Sequence, residues 1–93
     1  MILEFHPHVF ADVQQAAEAY AATSPKLGEA FLSEVSARLD KILEDPWQFP
    51  QVNGETSFRR AKLWRFPQSI VYRPWEHGVM VTLIAQVVVG NAA

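Results

Sequence analysis

The chain has 93 residues, 49% of them apolar, 19% charged and none cysteine, with a formal net charge of −2. That length holds one domain, 1–93; the composition excludes a disordered tail, and the lack of cysteine excludes a disulfide scaffold, a thiolate metal site and a thiol nucleophile. No basic segment followed by an apolar one opens the chain, and the longest apolar stretch, Val79 to Val89, is interrupted by Thr82 and Gln86 and is too short to span a bilayer.

A soluble, cytoplasmic domain without membrane contact is expected. Met1 to Phe5 alternates and stops at Pro7, which predicts a short first strand. Val9/Phe10, Val13, Ala16/Ala17 and Tyr20 then recur at spacings of three and four, the stripe of a helix of about 14 residues. A turn of about four residues is expected from Ala21. Ser24-Pro25 opens a second helix, with Ser24 as a side-chain cap and Pro preset at the first helical position. Leu27, Phe31, Val35, Leu39, Ile42 and Leu43 mark its inner face, and Pro46 ends it.

Trp47 to Ser57 reads as a connecting loop. Beyond it the period falls to two: strands are predicted over Phe58 to Phe66, Ser69 to Trp75 and Val79 to Val88, with turns at Pro67-Gln68 and Glu76-His77-Gly78. Leu63, Ile70, Tyr72, Leu83 and Ile84 are expected in the core. On the first of these strands Phe58, Lys62, Trp64 and Phe66 share one parity, and Arg59, Ala61, Leu63 and Arg65 the other. The fold class is α+β, two layers in the order β-α-α-β-β-β, with a helical hairpin packed on one face of a largely antiparallel sheet.

Charge is distributed unevenly along this order. Residues 1–47 carry three bases against eight acids, and residues 48–93 five bases against two acids. Four of those five bases, Arg59, Arg60, Lys62 and Arg65, fall within seven residues. A positive segment on a mildly acidic chain suits an anionic partner on one face.

Few residues carry recognisable chemistry. The four glycines are scattered, so no phosphate-cradling loop exists. His6-x-His8 offers two ring nitrogens without a carboxylate, too few for a metal, and His77 sits in a solvated turn. No metal, no cofactor and no direct nucleic-acid contact are expected. The remaining constellation is Arg59, Arg60, Lys62, Arg65, Tyr72 and Arg73, read here as partner-binding. Cleaving RNA requires the 2′-hydroxyl activated, the leaving oxygen protonated and the phosphorane charge stabilised. These cations serve the last task only, so no catalytic residue is assigned.

Several of these residues, in this order, resemble the ParE/RelE toxin superfamily of plasmid-stabilisation proteins. The resemblance rests on a first strand, an Ala-rich helix with Asp12 near its start, Ser24-Pro25, Ala30-Phe31 through Leu39 and Leu43, and Pro46. Then come Arg59-Arg60, Phe66-Pro67 and Ile70-Val71-Tyr72-Arg73. It implies a toxin of a type II toxin–antitoxin module, neutralised by an antitoxin of ParD or RelB type. ParE-like members poison DNA gyrase; RelE-like members cut messenger RNA on the ribosome. The family's last strand ends in an Ala-Val-x-His-x-x-Arg-like motif, whereas here Ala85 is followed by Gln86-Val87-Val88-Val89-Gly90-Asn91, with Val88 where the histidine falls. The ribonuclease set is therefore incomplete, and the gyrase-directed branch fits better. The alternatives are a RelE-like ribosome-dependent endonuclease using Lys62, Arg65, Tyr72 and Arg73, and a non-toxic relative that only binds antitoxin. The β-prone Val87-Val88-Val89 end is expected to be covered by such a partner.

Overall fold

The computed structural model describes residues 2–54 and 57–85. Its elements are β1 (Ile2–Phe5), α1 (Val9–Thr23), α2 (Pro25–Glu44), a 3-10 turn at Val52–Gly54, β2 (Arg59–Lys62), β3 (Ser69–Trp75) and β4 (Gly78–Ala85). The strands form one sheet in the order β1-β4-β3-β2. β1 runs parallel to β4, and the other pairs are antiparallel. The expected α+β arrangement, two helices on one face of a mostly antiparallel sheet, is the one observed. Val88 and the Val87–Val89 end lie outside the described residues.

The helical hairpin is tighter than expected. α1 continues through Ala21, Ala22 and Thr23, since alanine has the highest helix propensity, and Ser24 alone joins the helices. Ser24 is extended (φ −159°, ψ 129°) and makes no side-chain cap. Its backbone does the work at both ends: its N–H donates to Tyr20 C=O, and its C=O accepts from Leu27 and Gly28 N–H. Gly28 lets the helices approach, because a Cβ there would lie 2.9 Å from both Ala17 O and Ala21 Cβ. Phe10, placed in the α1 stripe by periodicity, is 66% exposed and leans on the Phe5 ring at 4.9 Å. Only Val9 of that pair enters the core.

The core lies between the helices and the sheet. Tyr72, Phe31, Ile42, Leu63, Ile70, Val9, Val79 and Val81 are fully buried. Tyr20, Phe31 and Phe66 pack their rings mutually at centroid distances of 4.8–5.3 Å. Such contacts favour tilted and edge-on arrangements over flat stacking, as seen here.

Two strand expectations are corrected. The strand predicted over Phe58 to Phe66 covers only Arg59–Lys62. Leu63 N–H closes onto Gln68 C=O, and the next two N–H groups, of Trp64 and Arg65, turn to the Glu34 carboxylate. Burial accordingly steps by three from Leu63 to Phe66, not by two, and Phe66 leaves the parity it shared with Lys62. Leu83, expected inside, is exposed on the opposite sheet face. The register shifts between Val71 and Tyr72, which pair with Leu83 and Val81, so Thr82 is the extra residue of a bulge. Val79, Val81 and Ile84 thereby all face the helices, and Thr82 Oγ1 donates to Val71 C=O at 3.1 Å. No helix among the described residues is long and apolar enough to cross a membrane.

Candidate partner-binding surface

The six residues singled out by sequence separate into three groups. Arg59 and Tyr72 pair in register across β2 and β3, on the helix side of the sheet. The Tyr72 hydroxyl donates to Pro46 C=O at 2.6 Å, and Arg59 Nη1 donates to Phe49 C=O at 2.7 Å and to Trp47 C=O at 3.1 Å. The Arg59 guanidinium also lies 5.2 Å from the Trp47 ring. Together they tie the segment that leaves α2 to the sheet. Burial pushes the Tyr72 phenol up to about 12; Arg59 opposes this, and Asp45 adds to it. At neutral pH this hydroxyl is a protonated donor committed to a backbone carbonyl, poorly placed to move a proton for a substrate.

Arg65 forms the second group. It donates through Nε to Glu34 Oε1 at 3.2 Å and through its backbone N–H to Oε2 at 3.0 Å. Glu34 is buried on α2 between Phe31 and Val35, and it also accepts from Trp64 N–H. A buried carboxylate is tolerated when its oxygens are bonded, as they are here.

Arg60, Lys62 and Arg73 make up the third group, on the sheet face that carries no helix among the described residues. Arg60 and Lys62 alternate with Arg59 and Ala61, and Arg73 pairs with Met80. Among the described residues none of the three side chains has a carboxylate partner. Beside Arg73 a pocket of about 250 Å³ is lined by Phe58, Trp75, Met80 and Thr82. A shallower one of about 430 Å³ adjoins it, lined by His8, Val52, Phe58, Val71, Thr82 and Leu83. This face is thus apolar in its middle and cationic at its margin.

His8 is engaged as well: its Nε2 lies 2.8 Å from Thr82 C=O, and its ring packs 4.2 Å from that of His6. No cluster of three or more metal-ligating side chains occurs among the described residues.

Sequence reasoning missed a further set. Arg38, on α2, donates through Nε to Lys62 C=O at 2.9 Å. Its guanidinium lies 4.3 Å from the Trp64 ring and 5.0 Å from that of Phe49. Trp64 and Trp47 are 61% and 55% exposed. The available signal was the tryptophans themselves, large rings in segments with no apolar period to bury them. Glu34 also announced itself, by standing within the buried stripe of α2.

No family model matches the chain, and no curated protein does. Among solved structures, a chain of a chromosomal ParDE TA system from P. aeruginosa superposes with a TM-score of 0.78 at 18% identity. The match covers 94% of this chain and 96% of that one. At such identity the likeness establishes the fold.

Proposed function

We propose that the chain is the toxin component of a type II toxin–antitoxin module, of ParE-like kind. It acts in the cytoplasm by binding DNA gyrase, not by turning over a substrate, and is neutralised by a ParD-like antitoxin. The observation that carries this reading is the superposition on a chain of a ParDE system, which spans both chains almost end to end. It is supported by the sheet face that no described helix covers, apolar in its middle, with Arg60, Lys62 and Arg73 lacking carboxylate partners among the described residues. Surfaces of that composition serve protein partners. The endonuclease reading gains nothing from Tyr72, whose hydroxyl is buried and bonded to Pro46.

The test is growth after inducing this chain alone and together with the adjoining gene, with DNA breaks and translation followed in the same cells. Growth arrest with gyrase-dependent breaks, relieved by the neighbour, is expected. Arrest with collapsing translation and intact DNA would replace this reading with the endonuclease. Unimpaired growth would leave only the antitoxin-binding relative.

A further inference from the structure

The outer edge of β2 is closed at both ends and open between them. Arg59 and Ala61 bond to β3, so the N–H and C=O groups of Arg60 and Lys62 face away from the sheet. At one end Pro50 C=O accepts the Arg60 N–H at 3.0 Å. Proline has no N–H to return to Arg60 C=O, so that pairing goes no further. At the other end Arg38 occupies Lys62 C=O. Between the two stops, Arg60 C=O and Lys62 N–H have no backbone partner among the described residues.

The side chains around this gap share one sign. Arg38 has spent only Nε; neither of its Nη groups is bonded among the described residues, and its guanidinium carbon lies 4.3 Å from the Trp64 ring and 5.0 Å from the Phe49 ring. The Arg60 and Lys62 side chains have no carboxylate partner there. Glu34, the nearby acid, is consumed by the Trp64–Arg65 turn. That turn in turn presents the exposed Trp64 ring beside Arg38.

We propose that this strip, Arg38, Arg60, Lys62 and Trp64 around the open middle of β2, docks an extended acidic segment of a partner protein. The open donor and acceptor take one short stretch of extended backbone. The cations take its carboxylates, Arg38 bidentately through the two Nη groups that its Nε bond to Lys62 C=O leaves over. Trp64 takes an apolar side chain, the role in which tryptophan and arginine dominate interface energies. A nucleic-acid strand could use the cations and the ring, but it has no backbone amide and carbonyl to match the gap. The proposal does not rest on the toxin reading, and its test involves neither antitoxin nor gyrase.

The probe is a fluorescein-labelled octapeptide alternating Glu and Val, followed by anisotropy against the whole chain. Its comparators are the same peptide with Gln for Glu and a labelled oligouridine of equal length. Saturable binding that weakens as salt rises from about 0.05 to about 0.5 M is expected. The Gln peptide, and the Trp64→Ala and Arg38→Gln variants, should each bind about tenfold more weakly. Lys62→Glu alters an exposed side chain with no carboxylate partner among the described residues, and it should weaken binding without changing the circular dichroism spectrum, covering the case in which Arg38→Gln fails to fold. No saturation by about 1 mM, equal binding of the Gln peptide, indifference to Lys62→Glu, or oligouridine binding as tight as the acidic peptide would each overturn the proposal.

Discussion

Replacing Tyr72 by phenylalanine removes one oxygen and leaves the buried ring in place. The hydroxyl lost is the one that donates to Pro46 C=O at 2.6 Å. With both groups buried, the carbonyl is left without its donor, and the variant should be less stable by about 1–2 kcal/mol at neutral pH. The same hydroxyl has an alkaline signature. Its folded value is about 12 against an ordinary 10.0, so it is raised. Below pH 10 both states hold the proton and the stabilisation is complete. Between 10 and 12 the unfolded chain loses the proton and the folded chain keeps it, so stability falls as pH rises, by about 2–3 kcal/mol over that interval. The Tyr72→Phe variant lacks this loss. Urea unfolding followed by circular dichroism, from about pH 8 to about pH 12, should therefore show the wild-type advantage vanishing between about pH 10.5 and about pH 12 and then reversing. A gap that stays constant across the series, or no gap at about pH 8, would refute a buried phenol donating to Pro46.

Three further outcomes follow from the packing. Glu34→Ala strands the Trp64 and Arg65 N–H groups and should cost about 2–4 kcal/mol in urea unfolding, with Glu34→Gln markedly milder because one acceptor oxygen remains. Gly28→Ala should lower the unfolding free energy by a net of about 1–2 kcal/mol, seen as a lower melting temperature, since the clash with Ala17 and Ala21 outweighs alanine's helix preference; adding Ala21→Gly should recover part of the loss. Arg59→Met should destabilise by about 1–3 kcal/mol through the two carbonyls it holds. Arg60→Met should leave the unfolding free energy within about 0.5 kcal/mol of wild type; equal losses at the two positions would contradict the alternation described for β2.

The order of elements was legible because the apolar period changes from 3.6 to 2 after residue 57, and Pro46 and Pro67 mark boundaries that exist. The end of β2 was not, because it is decided by a carboxylate at position 34, thirty residues upstream of the N–H it captures. The bulge at Thr82 was equally silent: a strict alternation cannot place both Val81 and Ile84 inside, yet the core holds both. Within the candidate surface, Arg59 and Arg60 are indistinguishable by type and position in the sequence. Pleating alone sends one to three backbone and ring contacts under the sheet edge and the other to the opposite face. Arg38 reads as an ordinary polar helix residue, and nothing local ties it to Trp64.

The parallel pairing of β1 with β4 has a mechanical side. Ile2 lies opposite Gly78 and Phe5 opposite Val81, with both strands running the same way. A pull on the chain before Ile2 and an opposing pull after Ala85 drag these neighbours along their length in opposite directions. All four registered pairs are then loaded together; they do not peel apart one at a time. An unfoldase or optical trap gripping both ends meets the sheet in shear, so the domain should resist extension far better than its thermodynamic stability alone suggests.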